Sequence, residues 1–197
     1  MRTLFLSILS LAFASTVFAA KPAILDNVEL KWRATTDLKD LVDANLGALP
    51  AKITIAKFKD ARTVEPKNKV GENKEDEKGG ALPVTTSSDV SDFVTENLRQ
   101  TLKKSGLDVV DSGGTYTLNG EITDYFVTET NTYQGNLMVK LTLTKGGKVV
   151  WKNTVIGTNK RFGRSYKLDN YLETLSDTVV DFATKLAQNS DFKAQLK

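Results

Sequence analysis

The chain has no cysteine and no histidine in 197 residues. Without cysteine there is no disulfide framework and no thiolate nucleophile, and without either residue a structural zinc site loses its usual ligands. The missing imidazole also removes the Ser–His–Asp and Cys–His arrangements and the commonest general base. Proline is absent from residue 84 onward, all four standing at positions 22, 50, 66 and 83. Since proline removes a backbone donor, the proline-free stretch is where continuous ladders and long helices are expected. A third absence is local: from Thr130 to Leu168 there is no aspartate or glutamate.

That acid-free stretch holds Lys140, Lys145, Lys148, Lys152, Lys160, Arg161, Arg164 and Lys167, a run of +8 in a chain whose formal charge is only +3. The remainder must be net negative, so a near-neutral total conceals a polarised molecule. A basic hairpin facing solvent admits two readings. Its lysines bind an anionic partner, or they guard edge strands against pairing with other chains. The loop Arg161-Phe162-Gly163-Arg164-Ser165-Tyr166 adds guanidinium forks and aromatic faces, as an anion or carbohydrate grip would; an ordinary strand-to-helix connection has the same composition. Lys140, Lys148, Lys152, Lys160, Arg161, Arg164 and Tyr166 are the candidate binding residues. The acid pairs Asp40/Asp43 and Asp108/Asp111 read as surface acids, and no Ser-x-x-Lys motif opens a predicted helix, so no catalytic residue, metal or cofactor is assigned and the chain is read as a non-enzyme. Nor does a nucleic-acid motif accompany the basic stretch.

The N-terminus carries Arg2, an apolar run from Leu4 to Phe13 and small residues up to Ala19-Ala20. This is the pattern of a secretory signal peptide over residues 1–19, with an apolar core too short to span a bilayer. Ala-Lys stands where a lipoprotein signal would supply its cysteine. The expectation is therefore an exported chain without a lipid anchor or transmembrane segment, periplasmic and associated at most peripherally with the outer membrane.

Residues 20–50 read as an extension with a short strand around Val28, Leu30 and Trp32 and a helical turn through Leu38, Leu41 and Val42. Residues 51–197 read as a single domain. Ala51–Lys59 alternates as a strand, and 65–80, nearly all charged or turn-forming, reads as a mobile loop. Val90, Phe93, Val94, Leu98 and Leu102 follow helical spacing after a cap at Ser87 or Ser88, with Gly106 as the stop. Strands follow at 107–110, 116–130, 137–144 and 149–158, Gly146-Gly147 supplying a hairpin turn. Asp169 caps a last helix through Leu172, Leu175, Val179, Phe182 and Leu186. The expected fold is α+β, a two-layer sandwich in which an antiparallel or mixed sheet of about four to five strands carries two helices on one face.

The run Ile53-Thr-Ile-Ala-Lys-Phe-Lys-Asp-Ala-Arg62, with Val70-Gly71 beyond it, resembles the first block of the YajG-like bacterial envelope lipoproteins. Val90–Gly106 is similar to their amphipathic helix, Tyr116-x-Leu-x-Gly-x-Ile to their next strand, and Gly147-Lys-Val-Val-Trp151 to their Trp-ended hairpin. The likeness spans about residues 51–190 and is shared with a wider group of lipopolysaccharide-assembly and transport-auxiliary lipoproteins. It implies an α/β sandwich and a non-enzymatic envelope role, and it carries over no catalytic residue. The expected function is accordingly an accessory protein that binds an anionic envelope component, lipid or lipopolysaccharide, or an envelope protein. The alternative is an assembly module docked by its sheet edge or face to an outer-membrane complex.

Overall fold

A computed structural model describes residues 24–74, 80–163 and 165–197. The predicted signal peptide and Arg164 lie outside them. Three long strands form the frame: β7 (Tyr116–Glu129), β8 (Thr132–Lys145) and β9 (Lys148–Phe162), joined antiparallel in that order. Their residues alternate between buried and open, the half-buried pattern that fixes register because a slip of one residue would turn every apolar side chain to water. Gly146 and Gly147, at φ 55° and 76°, close the β8–β9 turn as the sequence predicts.

The other edge of β7 is paired in succession by short parallel strands, β2 (Lys52–Ile55), β3 (Lys59–Asp60) and β4 (Lys69–Asn73). Beyond β2 lies β6 (Asp108–Val110), and beyond β4 lie β5 (Leu82–Thr86) and β1 (Leu25–Val28). The described sheet thus has nine strands, more than the four to five expected. Much of the excess comes from short polar strands with little periodicity of their own. β4, in the middle of the predicted 65–80 loop, reads Lys-Val-Gly-Glu-Asn yet buries Val70 completely, because β7 and β5 supply its hydrogen bonds.

Helices α2 (Val90–Lys104) and α3 (Leu168–Gln188) cover one face of the sheet. Asp89, rather than Ser87 or Ser88, caps α2 by accepting from the Asp92 N–H. α3 has no side-chain cap, and Asp169 sits in its first turn. Gly135 and Gly157 let α3 lie close to the strands: a Cβ on Gly157 would stand 2.3 Å from the Thr178 carbonyl oxygen. Short helices α1 (Lys39–Val42) and α4 (Ser190–Gln195) complete the described fold.

The sandwich also has a partial third layer. Residues 33–36 run over α3, where the side chains of Ser176 and Asp177 accept from the Arg33, Thr35 and Thr36 N–H groups; upstream, the N–H groups of Leu25, Asn27 and Leu30 are held by side-chain oxygens of Tyr166, Thr85 and Ser88. α3 is therefore buried nearly all round, including Ser176 and Asp177, where an amphipathic stripe alone predicts one wet side. Leu30 of the 24–36 segment, and Leu41 and Leu46 beyond it, join the same core as the rest of the chain.

Candidate functional site

The helices occupy the inner face of β7–β9, and among the described residues no helix covers the outer one. Alternation places Asn119, Glu121, Lys140, Thr142, Lys152, Thr154, Lys160 and Phe162 there. Two shallow grooves cross this face. The first, about 690 Å³, is lined by Asn119, Glu121, Lys140, Thr142, Lys152, Asn153 and Thr154 among others. Register sets Lys140 opposite Thr154 and Thr142 opposite Lys152. Two lysines and two threonines thus occupy opposite diagonals of one square, the lysine Cα atoms roughly 8 Å apart by strand spacing and rise.

Neither lysine has an ion pair among the described residues. Glu121 lies directly across from Lys140 on β7, so the groove keeps one surplus positive charge. A doubly charged oxyanion would relieve the repulsion between the two ammonium groups, with Thr142 and Thr154 positioned as hydroxyl donors.

The second groove, about 500 Å³, lies further along the strands and is lined by Thr128, Gln134, Asn136, Thr158 and Lys160 with Gly135 and Asn159. Lys160 likewise has no ion pair among the described residues. Lys148, at the hairpin turn opposite Lys145, lines neither groove.

Two of the predicted binding residues turn inward. Arg161 turns inward to Glu173 on α3, at 2.5 Å, and to Asp177 at 3.8 Å. Tyr166 is buried; its hydroxyl donates to the Pro83 carbonyl at 2.6 Å and accepts from the Leu25 N–H at 3.0 Å. Its backbone is left-handed, φ 45°, a strained setting for a bulky residue. Glu129 holds it by accepting the Ser165 and Tyr166 N–H groups at 2.7 and 2.9 Å. Burial, and then the hydrogen bond to Glu129, push the Tyr171 phenol far above its ordinary pKa. The loop gathered by composition thus separates into the inward anchors Arg161 and Tyr166 and the outward Phe162.

Sequence reasoning did not find Glu129, a wholly buried carboxylate, or Asp177, which holds the N-terminal segment. Neither has a local signal, since their partners lie dozens of positions away. Thr142 and Thr154 stand within the expected strands as the polar half of their alternation, whereas Gln134 and Asn136 fall between the strands expected at 116–130 and 137–144. Of the acid pairs, Asp43, Asp108 and Asp111 are exposed. Among the described residues no group of three acids converges as a metal site would require, and no helix is long and apolar enough to cross a membrane.

Comparison with solved structures gives the fold. A Xanthomonas campestris protein of the DUF330 family superposes with a TM-score of 0.56 at 12% identity, over 88% of this chain and 97% of that one. An uncharacterized protein gives 0.52 at 10% identity, over 84% and 98%. A putative lipoprotein of Caulobacter crescentus gives 0.48 at 12%, over 79% and 95%. No curated protein matches the sequence. The family model described as Lipopolysaccharide-assembly, LptE, matches residues 81–190. This is the wider group of the sequence resemblance, the narrower YajG-like likeness resting on its short motifs. The matched segment runs from β5 into α4 and contains both grooves and the helix that backs them, and on that match the chain belongs to the lipopolysaccharide-assembly family.

Proposed function

We propose that this protein is a non-enzymatic accessory of lipopolysaccharide assembly in the bacterial envelope, exported to the periplasm and working beside the outer membrane. It holds the phosphorylated part of an anionic lipid on the outer face of β8 and β9. The observation that carries this reading is the first groove, where Lys140 and Lys152 stand together on an open face without ion pairs among the described residues. Family membership supports the ligand class.

Lys148 and Lys160 extend the positive field along β9, so binding should be steeply salt-dependent. Arg161 and Tyr166 contribute by fixing β9 and the following loop. The test is co-sedimentation with phosphatidylcholine vesicles that contain lipopolysaccharide. Lys140→Glu with Lys152→Glu should weaken binding at least about tenfold, equivalent to roughly 1.4 kcal/mol, at low salt. Unchanged binding by this double variant overturns the reading.

A second reading has its own support. Among the described residues β9 pairs on one side alone, and Val149 and Ile156 are exposed along it. In that reading a strand of an envelope protein adds to this edge. Site-specific cross-linking from position 156 separates the two: a protein adduct favours edge docking, a lipid adduct the groove.

A further inference from the structure

We propose that the second groove, with the ring of Phe162 at its end, is a saccharide subsite. The proposal rests on reading the outer β8–β9 face as the ligand face. It assigns to that face a second, chemically different position for the sugar part of a glycolipid.

The first argument is the lining. Gln134 and Asn136 bring amides, Thr128 and Thr158 hydroxyls, and Lys160 an ammonium group; the lining residues include no carboxylate and no aliphatic side chain. A phosphate asks for donors alone and an acyl chain for apolar walls, whereas sugar hydroxyls both donate and accept and so match amides and hydroxyls. Asn136 already gives its amide N–H to Asp124, which leaves its carbonyl oxygen as an acceptor. Thr158 has its N–H on Asp181, at 2.6 Å, so this part of the lining is held in place before any ligand arrives.

The second argument is Phe162, which is 91% exposed. Lys160 pairs with Gln134 and Phe162 with Thr132, so Phe162 follows the groove on the same face by strand alternation. An isolated phenyl ring in water gains from any apolar cover, and its electron-rich face suits the C–H face of a pyranose, whose hydroxyls would then point toward Gln134 and Lys160. The two grooves share no lining residue. The subsite can therefore be tested without touching Lys140 or Lys152.

The experiment is a 1H–15N titration of the full chain with two neutral, lipid-free probes: maltoheptaose, and dephosphorylated core oligosaccharide released from lipopolysaccharide. Saturable shifts centred on Thr128, Gln134 and Lys160–Phe162 are expected, with affinity lost about tenfold in Phe162→Ala and retained in Phe162→Trp. Binding of the core oligosaccharide alone identifies a glycolipid sugar as the source, and binding of both probes identifies a general glycan site; either supports the subsite. Lys140→Glu with Lys152→Glu should leave these shifts intact, so a failure of vesicle binding and a failure of sugar binding are read separately. No saturable shift with either probe at millimolar concentration, or equal binding by Phe162→Ala, overturns the proposal.

Discussion

Arg62 has an exposure of 4% and every N–H of its guanidinium engaged. It donates to both carboxylate oxygens of Asp60, at 3.0 and 2.9 Å, and to the carbonyls of Lys67, Lys69 and Tyr125. The Asp-Ala-Arg motif that carried the family resemblance is thus a clamp joining β3, β4 and β7. Removing one partner of a buried pair leaves the other charge uncompensated, so Arg62→Ala should cost about 3–5 kcal/mol in urea unfolding, and Arg62→Lys should recover little because an ammonium cannot span those acceptors. Burial raises the Asp60 pKa, but hydrogen bonds from Arg62 outweigh it and hold the carboxyl below its ordinary value. A depressed carboxyl contributes stability that is present above the unfolded pKa of about 3.9 and lost as pH falls through the folded value, so the gap between wild type and Arg62→Ala should narrow below pH about 4. At the alkaline end the sign reverses. Burial drives the Tyr125 phenol well up, as burial and Glu129 do for Tyr171. Their contribution is complete below the unfolded phenol value of about 10 and is lost as pH rises above it. Tyrosinate absorbance should therefore show these two of the five tyrosines ionising together with unfolding.

β9 shows how an element is kept from unwanted pairing. Its Thr158 N–H points off the free edge and is taken by Asp181 of α3, which also pairs with Lys185 at 2.7 Å. A helix side chain thus caps the ladder where another strand would start to pair. Asp181→Ala should lower stability by about 1 kcal/mol and make the chain self-associate with concentration in sedimentation velocity, whereas Asp181→Asn, which keeps an oxygen, should remain close to wild type. Asp181 blunts one stretch of this edge, and Lys152 and Lys160 stand on the same strand with their side chains on its outer face. How legible an element was depended on its own length. α2 and β7 were read over nearly their whole length and β8 and β9 over their middles, 137–144 and 149–158, while β3 has two residues and β4 five, and their pairing is imposed by β7.

For the whole molecule, the segment 24–36 binds the two helices and the sheet edge into one unit, and Asp177 is its main anchor. The carboxylate accepts the Thr35 N–H at 2.6 Å, the Thr35 hydroxyl at 2.7 Å and the Thr36 N–H at 2.8 Å, and it stands beside Arg161 of β9. Asp177→Ala should release these amides to fast hydrogen exchange while the β7–β8 ladder stays protected, at a global cost of about 2–4 kcal/mol. Equal protection of Thr35 and Thr36 in the variant would show that apolar contacts of Leu30 and Leu41 hold the segment instead. Because Arg161 touches Asp177, its charge serves the joint between β9 and this segment, and it leaves the solvent-facing field to the lysines.

The sequence by itself determined the excluded chemistries, the long helices and strands, and the presence of a basic segment that carries no acid. Those are properties of composition and of local periodicity, and both can be read within a window of a few turns. Tertiary structure decided which members of that segment face outward: Lys140, Lys152, Lys160 and Phe162 line or flank the open face, while Arg161 and Tyr166 turn in to Glu173 and to the Leu25 backbone. It also decided that Glu129 and Asp177 are buried, because the backbone N–H groups that satisfy them come from segments 36 and 142 positions away. A charge can remain inside only where such partners converge, and chain neighbours carry no record of that convergence.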